Sequence, residues 1–170
     1  QREDAQRTVN ARLREIRAAA RRLGDELAPV VESPPAAAAD IPAAVASFEA
    51  IRAGAKQAVD AALNAIGVIF NASPAYAEWG AGELVTLRLE WQLFESHMPV
   101  NSLPRLRAAA ESLERLNYQC WDLTLAPDIN DVLENLDVGQ PLDIAATFGS
   151  GMPRSAERRK QLLQSLAQQR

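Results

Sequence analysis

The side chains able to do acid–base, nucleophilic or metal chemistry are few, and their spacing does not suit that work. His97 is the sole histidine. A dinuclear carboxylate site on helices needs Glu-x-x-His pairs, and the residue three before His97 is Phe94. Glu95 is two residues away and does not share a helix face with it. No serine stands in a Gly-x-Ser-x-Gly elbow. Cys120 is the only cysteine, so no intrachain disulfide and no cysteine-based zinc site can form. Gly80-x-Gly82 lacks the Lys and Ser/Thr of a P-loop and the third glycine of a dinucleotide turn. Asp128, Asp131, Glu134 and Asp137 recur every third residue, which winds an acidic ridge around a helix and matches no calcium loop. The expectation is therefore a protein without catalytic residue, cofactor or metal.

Charge is the stronger signal. The chain of 170 residues has a net charge of −4, but its ends oppose its middle. Residues 1–22 carry seven arginines against three acids, and residues 154–170 carry five basic groups against Glu157. Each end is thus +4, which leaves −12 for residues 23–153. Arg7, Arg14, Arg17 and Arg21 in the first segment and Arg158, Arg159 and Lys160 in the last are candidate contacts for a partner. Trp79, beside the two glycines, is a candidate hot spot at an interface.

These groups must be carried by helices. Apolar content is 48% and charged content 24%, the balance of a globular chain. Aromatics are only 5% and alanine is abundant, which favours helices in close contact. Val9, Leu13, Ile16, Ala20, Leu23, Leu27 and Val30 step by four and three, a heptad seam over residues 1–31. The seam packs on another helix of the chain or on a second copy as a coiled coil. Pro34-Pro35 in residues 32–41 marks a linker. Asp40 and Pro42 then start a second long helix carrying Val45, Phe48, Val59, Ala62 and Ile66. Pro74–Trp79 reads as a short element after Ser73, with Gly80 and Gly82 breaking the chain behind it.

Glu83–Met98 is the most apolar stretch, and it reads in two ways. Val85, Leu87, Leu89, Trp91 and Leu93 alternate like a strand. At helical spacing Leu84, Leu87, Trp91, Phe94 and Met98 make one stripe, and Val85, Leu89 and Leu93 make another. Its Leu, Glu and Gln content favours a helix, buried on both sides at the centre of a bundle. Ser102 caps a further helix through Leu106, Leu113, Leu116 and Cys120 to about Asp122. The core domain extends over 42–137, an irregular strap covers 138–153, and a basic helix with Leu162, Leu163 and Leu166 occupies 154–170.

The fold expected is all-α, a bundle of five or six helices, two of them long, with a Pro-rich linker after the first. The chain is read as one domain cut from a longer bacterial protein, since it opens on Gln and is rich in Ala and Arg. The function expected is a non-enzymatic scaffold or protein-interaction domain, acting on a protein partner or by self-association through the first helix. Two alternatives use the basic ends. One is a cytoplasmic regulatory domain attached to a membrane protein, its ends near an anionic bilayer surface. The other is nucleic-acid binding, for which the arginines lack the interleaved aromatics that stack on bases. Location in the cytoplasm, or on the cytoplasmic face of a membrane, follows from the first alternative.

Overall fold

The structure, a computed structural model, describes residues 2–72 and 74–123, without the side chains of 2, 3, 6 and 74–81. The described part is all-α, with no strand, and holds five α-helices and one 3₁₀ turn. They are α1 (Arg2–Glu32), α2 (Ile41–Ala44), α3 (Ala46–Ala72), α4 (Pro74–Ser96) and α5 (Leu103–Leu123). The expected acidic ridge at 128–137, the strap and the C-terminal basic helix lie outside the described residues.

The four long helices form a bundle. Helix α1 packs against α3 and α5, and α4 packs against the same two, so α1 and α4 lie on a diagonal. Contacts between α3 and α4 run from Phe48 with Phe94, through Lys56 with Glu95 and Leu63 with Arg88, to Gly67 beside Leu84. One number rises as the other falls, so these helices are antiparallel. Helices α4 and α5 meet through Glu90 with Arg115 and Gln119, and α5 returns along α1 with Cys120 by Arg17. The chain therefore runs up, down, up and down, the arrangement that short connections favour.

The heptad seam builds one wall of the core. Val9, Leu13, Ile16, Ala20, Leu23 and Leu27 are all buried, and Val30 is half-buried at the end. The seam is thus covered by α3 and α5 of its own chain. Pro29 sits inside α1, and the helix closes within one turn of it: Ser33 N–H donates to the Pro29 carbonyl at 3.1 Å before Pro34-Pro35. Residues 33–37 and a 3₁₀ turn, Ala38–Asp40, then lead to α2, with Pro42 in its first turn as the sequence predicts. Val45 interrupts the helix (φ −99°, ψ 17°), yet its N–H still donates to Ile41 and its carbonyl still accepts from Glu49, so α3 continues the same rod after a bend.

Helix α3 contributes Phe48, Val59, Ala62, Leu63, Ile66 and Phe70 to the core. Trp91 and Phe94 of α4 stack at 5.0 Å, and Phe94 meets the ring of Phe48 edge-on at 6.1 Å. The next connection is short. Ser102 Oγ accepts the N–H of Arg105 at 3.3 Å and so caps α5 as predicted. The Arg105 guanidinium donates back to the carbonyls of Met98 and Pro99 and holds the loop against the helix it precedes.

Two expectations about α4 are corrected. Gly80 and Gly82 do not break the chain: one helix runs from Pro74 to Ser96. Glycine costs about 1 kcal/mol in a helix interior, which the packing of the following turns outweighs. The second correction concerns coverage. Leu87, Trp91 and Phe94 are buried, which settles the period as helical, but Val85, Leu89 and Leu93 remain exposed. A helix at the corner of a four-helix bundle meets neighbours on only about half its circumference, so its second stripe faces outward.

Candidate interaction face

That second stripe is the most distinctive surface of the described molecule. Val85, Leu89 and Leu93 are 54%, 57% and 42% exposed, while the other large apolar residues with described side chains, Val68 excepted, are at least partly covered. Each is one helical turn from the next, so they form a line along the outer side of α4. The other exposed positions of this side with described side chains are Gly82, Thr86, Gln92 and Ser96, and none of these is charged. Contiguous exposed apolar surface rimmed by polar groups marks an interaction site more often than a solvated face.

The charges near the stripe lie on its two flanks, turned toward neighbouring helices. On the α3 side, Arg88 donates to the Leu63 carbonyl and to Asn64 Oδ1, both at 3.4 Å. Lys56 bridges Asp60 at 2.8 Å and Glu95 at 3.4 Å. The hydrogen bond that Lys56 donates to Asp60, with the charge of both acids, holds the Lys56 ammonium above its ordinary pKa. On the α5 side, Glu90 accepts from Arg115 and from Gln119, each at 3.3 Å. These links fix the long side chains sideways and leave the apolar line uncovered between them.

The arginines of α1 named from the sequence do not gather around this face. Arg7 is exposed on α1 and paired with Asp4, and Arg12 is paired with Glu15 at 3.0 Å, so part of the basic charge is balanced within its own helix. Arg14 and Arg21 are exposed. Arg17 is not a surface group: it is only 2% exposed, beside Cys120 at the α1–α5 contact. Its expected role as an outward contact is therefore corrected. It directly follows Ile16 of the seam, and its long side chain lies along the seam's edge in the interface. Trp79 lies on α4, with its side chain outside the described residues, as are Arg158, Arg159 and Lys160.

A concavity lies between α1 and α5. Small residues at Ala20, Gly24, Ala28 and Ala110 leave a groove of about 490 Å³ there. Asn117 lines it, and its buried Oδ1 has no hydrogen-bond partner among the described residues. Glu114 stands at the exposed rim, where partial burial and then the charge of Glu111 raise its carboxyl pKa. Cys120 is fully buried nearby. Burial pushes its thiol from 9.0 up to about 12 against the opposing pull of Arg17, which makes it a poor nucleophile at neutral pH. His97 lies just past the end of α4, where its N–H donates to the Phe94 carbonyl at 3.1 Å.

Among the described residues no group of three His, Cys, Asp or Glu is placed to hold a metal ion, and no helix is long and apolar enough to cross a membrane. Sequence reasoning found the residues of the exposed stripe and placed them on the correct side of the helix. Its exposure was missed, since a covered and an uncovered apolar stripe have the same composition. Comparisons of the chain with protein-family models, with curated proteins and with solved structures find no match.

Proposed function

We propose that this domain is a protein-interaction module whose contact surface is the outer face of α4. The observation that carries the reading is the uncharged line of Val85, Leu89 and Leu93, left in water by a bundle that covers, at least in part, the other large apolar groups among the described residues except Val68 of α3. The heptad seam of α1 is already occupied within the chain, so this reading moves the contact from the first helix to the fourth. A scaffold role fits the same architecture, since a rigid bundle presents the stripe without needing to rearrange. Readings that use a bilayer surface or a nucleic acid rest on the basic groups of both chain ends, of which those of α1 sit on the helix diagonally across from α4 and those of residues 154–170 lie outside the described residues.

The test is site-specific photo-crosslinking of the full chain in cells. Benzoylphenylalanine placed at Leu89 is expected to give a discrete adduct, and the same group at Gln57 or Arg107 is expected to give none. Adducts at those control positions with nothing at Leu89 overturn the reading.

A further inference from the structure

The groove between α1 and α5 shares no residue with the outer face of α4. Its register follows from Arg17, which lies beside Cys120 where the two antiparallel helices meet. Counting away from that contact sets Asn117 level with Ala20 and Leu113 level with Gly24. The groove follows this seam from Ala20 to Glu32, a rise of about 18 Å. Its floor is apolar and its hollow is left by small residues: a β-carbon built on Gly24 meets no atom within 4 Å.

Two unmet electrostatic demands converge on it. Asn117 is only 4% exposed, and its Oδ1 accepts no hydrogen bond among the described residues. A buried acceptor in that state calls for a donor. Asp25, Glu32 and Glu114 also line the groove, and none of them has an ion-pair partner among the described residues. The exposed Arg21 is the one base in the described lining, which leaves it a net charge of −2. The raised carboxyl pKa of Glu114 reflects the same lack: burial and then Glu111 act on it, and no cation offsets them. A water molecule would satisfy Asn117 and leave the acids as they are. A single metal ion does not suit them either, since among the described residues no three such groups converge. The acids are strung along a line, which suits a chain of positive charges.

We propose that this groove binds a linear aliphatic polyamine, with one terminal ammonium donating to Asn117 Oδ1 and the following nitrogens lying along Glu114, Asp25 and Glu32. The spacing agrees. Glu114 stands about 4.5 Å along the axis from Asn117, Asp25 about 7.5 Å from Ala20, and Glu32 about 18 Å from Ala20. An extended alkyl chain advances about 1.25 Å per bond, so a three- or four-carbon spacer sets neighbouring nitrogens about 5–6 Å apart. With its end at Asn117, the second nitrogen of such a chain falls between Glu114 and Asp25. A tetraamine of the length of spermine spans about 16 Å and brings its last nitrogen near Glu32. Its methylenes then lie on the apolar floor at Gly24, Ala28 and Ala110.

The experiment is isothermal titration calorimetry of the full chain with spermine, putrescine and Mg²⁺ in about 100 mM NaCl, where charges more than about 10 Å apart are largely screened. Spermine is expected to saturate one site per chain, with putrescine and Mg²⁺ at least about 10-fold weaker. Gly24→Leu keeps every charge and Asn117 but fills the groove, and is expected to weaken spermine at least about 10-fold. Gly54→Leu makes the same change on α3, where a β-carbon is equally free, and is expected to leave binding unchanged. Asn117→Leu, which removes one hydrogen bond to a charged donor, and the pair Asp25→Asn with Glu114→Gln should each cost about 10-fold or more. Circular dichroism checks the fold of each variant, and Gly24→Leu and the acidic pair decide the matter even if Asn117→Leu unfolds. A wild type with no saturable spermine site overturns the proposal. So does undiminished binding by Gly24→Leu or by the acidic pair, an equal loss in Gly54→Leu, or Mg²⁺ bound as tightly as spermine.

Discussion

Replacing Leu87 and Leu89 in turn by alanine separates the two faces of α4 by stability alone. Leu87 is 1% exposed and Leu89 57% exposed, although only Arg88 stands between them. Truncating a buried leucine removes its transfer energy and leaves a cavity, about 2–5 kcal/mol in total. Leu87 faces the core alongside Trp91 and Phe94, so its loss belongs in that range. Burying a whole leucine side chain is worth about 1.5–3 kcal/mol, and less than half of Leu89 is covered, so its truncation costs under about 1 kcal/mol. The better helix propensity of alanine offsets part of that. Urea unfolding at low protein concentration, followed by far-ultraviolet circular dichroism, reads the difference as a shift in midpoint at constant slope. The expected order is a large loss for Leu87→Ala and little change for Leu89→Ala. Equal losses would refute the reasoning, since they would mean that residues 85–93 share one buried face, as in a strand, or that the outer stripe is covered.

Three further outcomes follow from the packing. Gly54→Ala should stabilise by about 1 kcal/mol, because a β-carbon there meets nothing within 4 Å. Gly67→Ala should gain less or lose stability, since its β-carbon would lie 3.3 Å from Leu84 Cδ2; thermal unfolding of the two variants side by side checks this. Cys120 should stay unreactive toward a thiol-specific dye at pH 8 until the chain unfolds. Its raised pKa makes its contribution to stability complete below 9.0, with loss as pH climbs toward about 12, which alkaline unfolding of wild type and Cys120→Ser distinguishes. Glu114 has a raised carboxyl pKa, so its contribution is present below 4.5 and lost as pH rises. Glu114→Gln should therefore stabilise at neutral pH and make no difference in acid, as read from unfolding midpoints at the two pH values.

The fold was largely legible because each core face keeps a clear period. In α1 the seam residues are apolar and the intervening positions are mostly Arg, Glu or Ala, so one register stands out, and it is the buried one. The cap at Ser102 was legible for a local reason: its hydroxyl needs only the N–H three residues on. What escaped the sequence depends on the third dimension. Whether Val85, Leu89 and Leu93 are covered is decided by how many helices surround α4. Gly80 and Gly82 carry a local signal to stop, which tertiary packing overrides. Arg17 reads as one of seven N-terminal arginines, and the packing of α1 in the bundle, which sets it beside Cys120 of α5, draws it inside. The candidate face was thus present in the sequence as residues and absent from it as a surface.

The most direct measurement is the rate at which a thiol on the stripe reacts in living cells. Leu89→Cys and Gln57→Cys place a single new thiol on exposed positions of α4 and α3, while the buried Cys120 stays silent. If the outer face of α4 is a contact surface, a permeant maleimide labels Leu89→Cys several-fold more slowly than Gln57→Cys in cells, and the two rates converge in dilute purified protein. Equal rates in both settings would contradict the account.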